Sequence, residues 1–333
     1  MKYKATLVLL ITGLFSLPAF SQLNNGGLYS YFGVDADTRS NYMKYGLQTG
    51  DVAGDDWFAP SNSFGNNVID TSNAAYYLSM LQAGTNFSFN KRMSVPLYSK
   101  INGKLWLDAA YGRDFSAAAS LKDTTTFTSA CKNGDNPFTW HGGVSSFPNK
   151  NDLVDVYAHM RRDGITVHDS LWFFAGVSTF GTTGARYYDI ELYKKKFTYN
   201  AATGLFFTAG TDGGHTQWLF DASGNITQTG DMIVAVNFSP GAPPVVDVRI
   251  WVSQTTWSTV TPAYFNFNAS YDGSTSFGYA SVVSKAGTTA FGAGISNYSA
   301  TPANDTTYAT PWGSNATTGW SAQYQSLQFI EVG

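Results

Sequence analysis

The sequence predicts an all-β protein, built as a two-sheet antiparallel β-sandwich or jelly roll with long loops. Three observations support this fold class. The longest apolar segments alternate with a period of two, which is the repeat of a strand with one buried face. Charged residues make up only 13% of the chain, against about 25% in a typical globular protein. Turn-forming dipeptides separate many short segments, and helical patterns are scarce.

The clearest pair of strands lies between residues 230 and 253. In the second run of this pair, four aliphatic residues hold alternate positions: Val246, Val248, Ile250 and Val252. The positions between them are polar apart from one tryptophan: Asp247, Arg249, Trp251 and Ser253. The earlier run alternates in the same way through Met232, Val234, Val236 and Phe238. We therefore expect the aliphatic face to be buried, and Asp247 and Arg249 to be exposed.

Seven further segments are predicted to be strands: 86–93, 104–110, 153–160, 170–177, 187–193, 218–220 and 279–283. Turns such as Asp163-Gly164 and Asp272-Gly273 fall between the predicted strands. Residues 74–82 alone are compatible with a helix. Residues 116–150 and 296–320 show little periodicity, so we predict long loops there. No repeat or linker divides the chain, so residues 22–333 are expected to form one β-sandwich domain.

The first 21 residues have the three parts of a secretory signal peptide. Lys2 and Lys4 precede an apolar run over residues 7–17, and Ala19-Phe20-Ser21 provides small residues near a cleavage point. No later stretch reaches the roughly 18 to 20 apolar residues that a spanning helix needs. We therefore expect a secreted protein whose mature chain has no transmembrane segment.

Composition limits the chemistry that the chain can perform. Cys131 is the only cysteine, so no disulfide can form within the chain. Without Lys2 and Lys4, 18 basic residues remain against 23 acidic ones, and the longest basic run is Lys194 to Lys196. This balance argues against a nucleic-acid partner.

One short motif suggests an enzyme. Asp189-Ile190-Glu191 places two carboxylates on one face of a predicted strand. It resembles the strand motif of family-16-like glycoside hydrolases, which carry a further glutamate two residues before the aspartate. Tyr187 occupies that position here, so a retaining mechanism lacks a partner. The alternatives are solvent-facing carboxylates that balance the lysine run, or a carbohydrate-active enzyme of the concanavalin-like sandwich type.

Aspartates in turn-rich segments predict calcium as a candidate ion, because calcium binds six to eight hard oxygen ligands and accepts irregular loops. The candidate ligands are Asp35, Asp37, Asp55, Asp56, Asp135 and Asp152. None of them lies in an Asp-x-Asp-x-Asp-Gly loop. The alternative is that these side chains cap turns. No other cofactor is expected.

Aromatic residues make up 16% of the chain, which suggests glycan binding through exposed rings. The candidate ligand-binding residues are Trp251, on the polar side of its strand, and Trp140, Trp257 and Trp312, in predicted loops. Trp320 also falls in a predicted loop. The alternative is that these rings cover sheet edges or join the core.

Seven segments together resemble the opening region of very large secreted surface proteins of the Bacteroidetes. The segments are LYSYFGVDAD (28–37), GDDWF (54–58), VIDT (68–71), KNDLVD (150–155), DIELY (189–193), GDMI (230–233) and VRIW (248–251). Those proteins look like adhesins with a type IX secretion or gliding-motility sorting domain further along. The resemblance implies a non-catalytic module at the outer cell surface, with surface glycans or other cell-surface proteins as partners.

This chain contains no such sorting domain, and residues 327–333 resemble part of a strand. We therefore expect it to be the N-terminal module of a longer protein, truncated at its C-terminus.

Overall fold

The structure of the chain is a computed structural model. It describes residues 32–34, 36, 38–39, 56–59, 67–83, 88–114, 123–128, 134–146, 148–179, 184–239, 242, 244–273, 276–286, 291–296, 310–316, 319–321 and 328–333. The predicted signal peptide lies outside these residues. Within them, no helix is long and apolar enough to cross a membrane.

The described part of the chain is dominated by strands. Its helices are α1 (Ala74–Gln82) and α2 (Gln254–Thr259), with 3-10 turns at Pro137–Thr139 and Asn149–Asn151. The strands are β1 (Phe89–Arg92), β2 (Ser99–Ile101), β3 (Lys104–Arg113), β4 (Asp123–Phe127), β5 (Gly142–Ser145), β6 (Leu153–Arg162), β7 (Leu171–Thr179), β8 (Arg186–Leu192), β9 (Phe197–Asn200), β10 (Leu205–Thr208), β11 (Leu219–Phe220), β12 (Ile226–Gln228), β13 (Met232–Phe238), β14 (Val245–Ser253), β15 (Phe265–Asp272), β16 (Phe277–Ser284), β17 (Gly294–Ser296), β18 (Ser314–Ala316), β19 (Gly319–Ser321) and β20 (Gln328–Val332).

Two large antiparallel sheets organise these strands. The first sheet has the order β1-β3-β6-β7-β20-β17, with β2 paired to β3. The second sheet has the order β15-β16-β14-β13-β8, so β15 and β8 are its edges. Four hairpins stand apart from them: β4–β5, β9–β10, β11–β12 and β18–β19. The all-β, antiparallel prediction is confirmed.

Side chains from one face of each sheet meet in a shared hydrophobic cluster. Ala175, Val177 and Val332 come from the first sheet, and Val234 and Val246 are among those from the second. A separate cluster continues along the same face of the second sheet and includes Val248, Ile250 and Val252. Burial of aliphatic surface on this scale is the main favourable contribution to folding in a protein without disulfides.

The predicted alternation on β14 is confirmed for its apolar face. Val246, Val248, Ile250 and Val252 are all buried. The expectation that Asp247 and Arg249 are exposed is wrong, because their side chains are only 30% and 23% exposed. Neighbouring side chains hold them against the sheet, as described below.

The helix prediction matches α1 residue for residue. Several strands are longer than predicted: β3 continues to Arg113 and β6 to Arg162. The two predicted long loops are partly wrong. Residues 116–150 contain the β4–β5 hairpin, and residues 296–320 contain β18 and the start of β19. Glycine-rich and threonine-rich strands of three to five residues are too short to show a period.

The other face of the first sheet buries an ion pair beneath aromatic rings. Arg113 Nε donates to Asp155 Oδ1 at 2.7 Å, and Arg113 Nη2 donates to Asp155 Oδ2 at 3.0 Å. Ser178 and Tyr111 also donate to this carboxylate, and Trp312 Nε1 donates to the Tyr111 hydroxyl at 2.7 Å. Burial alone would lower the pKa of Arg113, but the adjacent Asp155 raises it. The network joins β3, β6 and β7 to the segment around Trp312.

Replacing Asp155 with alanine should therefore destabilise the protein strongly. The change leaves the Arg113 guanidinium buried without its carboxylate, which costs about 3–5 kcal/mol. Urea unfolding measures the loss. Asp108→Ala is the matched control, since it removes a pair with Arg92 in which both side chains are exposed, at 43% and 65%, and should cost less than about 1 kcal/mol. Equal losses in the two variants would contradict this account of the network.

Candidate functional site

The face of the second sheet that points away from the shared cluster carries a group of polar side chains. Cross-strand pairing aligns them in rows. Asp189 on β8 pairs with Ala235 on β13, which pairs with Asp247 on β14. The next row runs from Glu191 through Ile233 to Arg249. We call this surface the polar face and define it by Tyr187, Asp189, Glu191, Ala235, Asn237, Asp247, Arg249 and Ser281.

Arg249 fixes the carboxylates at the centre of the polar face. Its Nε donates to Asp247 Oδ2 at 2.7 Å, and its Nη1 lies 3.8 Å from Asp272 Oδ2 at the end of β15. The buried Ser281 hydroxyl donates to Oδ1 of Asp247. Both oxygens of Asp247 are thus engaged, and its side chain is held in one orientation.

Asp272 carries a perturbed carboxyl group. Partial burial raises its pKa, Arg249 lowers it, and the negative charges of Asp189 and Asp135 raise it again. The turn around Gly134 packs directly on this residue. Gly134 has a φ of +75°, and a Cβ there would lie 2.6 Å from the Asp272 carbonyl oxygen. Only glycine fits this approach.

The polar face contains a depression of about 520 Å³. Asp189, Asn237, Asp247, Arg249 and Asn268 supply its polar groups. The depression is within the size range of small-molecule sites, about 300–1,000 Å³.

At the rim of the depression, Tyr187 pairs across the strands with Asn237. The side chain of Tyr187 is 74% exposed, and Asn237 is also exposed. A flat ring therefore lies beside an amide side chain and two strands from the fixed carboxylate of Asp247, an arrangement that suits a ligand rich in hydroxyl groups.

A buried histidine closes one end of the polar face. The ring of His215 packs on Trp251 with centroids 4.0 Å apart, and its Nδ1 lies 3.2 Å from Asp231 Oδ2. Trp251 Nε1 donates to the Asp212 carbonyl at 2.7 Å. His215 is fully buried, so a ligand in solvent cannot reach its ring. Its contacts with Trp251 and Asp231 hold the 212–216 turn on the sheet.

The tryptophans predicted to bind a ligand lie mostly in the interior. Trp251, Trp140 and Trp312 are 0%, 2% and 0% exposed, so the expectation that their rings are accessible is wrong. The 212–216 turn covers Trp251. Aromatic side chains surround Trp140 and Trp312, among them Phe206 and Phe58 respectively.

Two further tryptophans, Trp257 and Trp320, were also predicted to lie in loops. Trp257 lies on α2 and not in a loop. It is half-buried and stacks on Tyr271 with centroids 4.9 Å apart. Its role in ligand binding stays a prediction. The side chain of Trp320 lies outside the described residues.

The predicted calcium ligands do not gather into a site among the described residues, where no group of three or more histidine, cysteine or acidic side chains has metal-binding geometry. Asp56 and Asp152 are buried, and Asp56 Oδ1 accepts from the Trp57 amide. Asp135 lies beside His215, whose Nε2 is 3.4 Å from the Asp135 carbonyl. Asp35, Asp37 and Asp55 fall outside the described residues, so calcium binding stays a prediction.

The motif that suggested an enzyme lies on the polar face. Asp189 and Glu191 are half-buried on the same side of β8. Glu191 accepts a hydrogen bond from the Tyr193 hydroxyl, which occupies one of its oxygens.

Sequence reasoning missed the roles of Asp272 and Asn237, because their neighbours depend on the pairing of β8 with β13 and of β15 with β16. The alternation on β14 and the Asp189-Ile190-Glu191 motif on β8 were the sequence signals that pointed to this face.

No known family, curated protein or solved structure matches the chain. The inference of function therefore rests on the geometry of the polar face and on the sequence.

The electrostatic account of Asp272 predicts two opposite changes in its titration. Arg249→Gln should raise the pKa of Asp272 further, because it removes the positive charge that lowers it. Asp189→Asn should lower the pKa, because it removes a negative charge. Carbon-detected NMR of the carboxyl groups measures both shifts, and the distant Asp221 provides an internal reference. An Asp272 midpoint below the ordinary value of 3.8 in the unmodified protein would contradict the account.

Proposed function

We propose that this chain is a secreted, non-catalytic adhesion module that binds glycans through the polar face. The observation that carries the proposal is the exposed ring of Tyr187 beside Asn237, at the rim of a depression in which Arg249 and Ser281 fix the carboxylate of Asp247. The signal-peptide pattern of residues 1–21 and the resemblance to surface adhesins support a location outside the cell.

The polar face has the chemistry that sugar binding requires. A tyrosine ring offers a flat apolar surface with a polar edge, on which a pyranose face can stack. Asp247 has both oxygens engaged and its side chain fixed. Fixed acceptors lose little conformational entropy when a ligand binds, so each hydrogen bond to a hydroxyl group contributes more to affinity.

The negative charge of the polar face should favour neutral or amino-bearing glycans over anionic ones. Five carboxylates lie on or beside the polar face, and Arg249 is already paired with two of them. The carboxylates are Asp135, Asp189, Glu191, Asp247 and Asp272. A net negative surface repels polyanions such as uronate-rich or sulfated chains, since like charges face each other on binding. The proposed ligands are therefore neutral glycans or glycans that carry amino groups.

A glycoside hydrolase of the concanavalin-like type is the second candidate. One observation favours it: Asp189 and Asp247 share a row and sit two strands apart, so their main chains are about 9–10 Å from each other. Carboxyl groups in inverting enzymes are about 6.5–9.5 Å apart. Against it, Tyr187 occupies the position at which the related strand motif carries a further glutamate, so one carboxylate of that motif is missing from β8.

Tyr187→Ala should weaken binding to a neutral glycan by about tenfold, which corresponds to about 1.4 kcal/mol, because it removes the stacking surface. Affinity electrophoresis in gels that contain laminarin or xyloglucan measures the change. Tyr76→Ala is the matched control, since Tyr76 is a similarly exposed tyrosine on α1, at 58%, and should leave binding intact. Stronger retardation by alginate than by the neutral glycans would refute the charge argument.

The non-catalytic proposal predicts that the purified protein releases no reducing ends from the glycans that it binds. Asp189→Asn and Asp247→Asn should then change affinity alone. Reducing-end assays on the same glycans check this expectation. Hydrolysis by the unmodified protein that both substitutions abolish would establish the hydrolase candidate instead.

A further inference from the structure

A second cavity lies between the two sheets, on the opposite side of the second sheet from the polar face. Its volume is about 370 Å³. Met160 and Phe173 of the first sheet form one wall, and Leu192, Met232 and Val248 of the second sheet form the other. None of the described residues that line it has an ionisable side chain.

The cavity coincides with a break in the core of the second sheet. Val246 and Val248 occupy the same face of β14, two residues apart, yet they belong to different hydrophobic clusters. Both residues line the cavity. The space is partly open to solvent, so it is an apolar pocket and not a void in the close-packed interior. Its volume lies within the range of small-molecule sites, about 300–1,000 Å³.

The opening of the cavity combines apolar and polar groups. Leu171 and Phe291 line the cavity and are about half exposed, at 48% and 51%. Ser170, also in the lining, is exposed. Arg162 pairs with Leu171 across β6 and β7, and it lies on the same face of β6 as Met160. Arg162 Nη1 donates to the Asp169 carbonyl at 2.6 Å. The Asp169 carboxylate accepts from the amide and hydroxyl of Thr166. These hydrogen bonds from Thr166 lower the pKa of Asp169, and the charge of Arg162 helps to lower it.

We propose that this cavity binds the aliphatic chain of a single fatty acid, with the carboxylate at the opening beside Ser170 and Arg162. The lining side chains are uncharged and mostly apolar, so they favour an aliphatic chain over a charged group, whose burial there would be costly. The guanidinium and the hydroxyl at the opening suit an anionic head group. The site lies on the opposite face of the second sheet from the proposed glycan surface, and Val246 borders both.

Calorimetry with decanoate below its micellar concentration tests the proposal on the purified protein. We expect saturable binding of one molecule per chain. Met232→Trp should weaken binding at least tenfold, because the larger side chain fills the cavity. Val144→Trp, which adds the same side chain at an exposed site on β5, should bind decanoate normally. Arg162→Gln should weaken binding of decanoate but not of decanol.

Thermal unfolding shows whether each variant is folded. If Met232→Trp does not fold, Leu192→Phe serves as the cavity-filling variant in the same experiment. Absence of saturable decanoate binding would overturn the proposal, and so would binding that neither folded cavity variant reduces. Binding of naphthalene without binding of decanoate would overturn the fatty-acid class. Tyr187→Ala should leave decanoate binding unchanged, which separates this site from the polar face.

Discussion

The contact of Val234, Val236 and Val246 with Ala175 and Val177 of the first sheet determines which side chains of the second sheet reach solvent. Because successive residues of a strand point to opposite faces, burial of these valines turns the residues between them outward. The register with β8 then brings the carboxylates of three strands together on one surface. A shift of one residue would bury the carboxylates and expose the valines, so the hydrophobic contact also fixes the polar face.

The arrangement of carboxylates on the polar face depends on the positive charge of Arg249. Arg249 holds Asp247 directly and lies near Asp272, and the remaining carboxylates stay close enough to raise the pKa of Asp272. Separate hydrogen bonds tie the 212–216 turn to Trp251 and close the surface at one end. What remains open is the side that carries Tyr187 and Asn237. The accessible part of the polar face is therefore small, acidic and bordered by one exposed aromatic ring.

Local patterns in the sequence were sufficient to predict α1 and the buried face of β14, because the periodicity of apolar residues within each segment determines its structure. The accessibility of Trp251 could not be predicted from such a pattern. Alternation shows which face of a strand a residue occupies, but what covers that face depends on a turn more than thirty residues away, whose His215 packs on the ring. The partners of Asp272 were hidden for the same reason, since the bulged pairing of β15 with β16 places it near Arg249.

Hydrogen–deuterium exchange with and without a neutral oligosaccharide locates the bound ligand without any substitution. If glycans bind to the polar face, exchange slows in β8, β13 and β14, around Tyr187, Asn237 and Asp247, while the first sheet is unchanged. Protection confined to other parts of the chain, or no protection at saturating oligosaccharide, would contradict the assignment of glycan binding to the polar face.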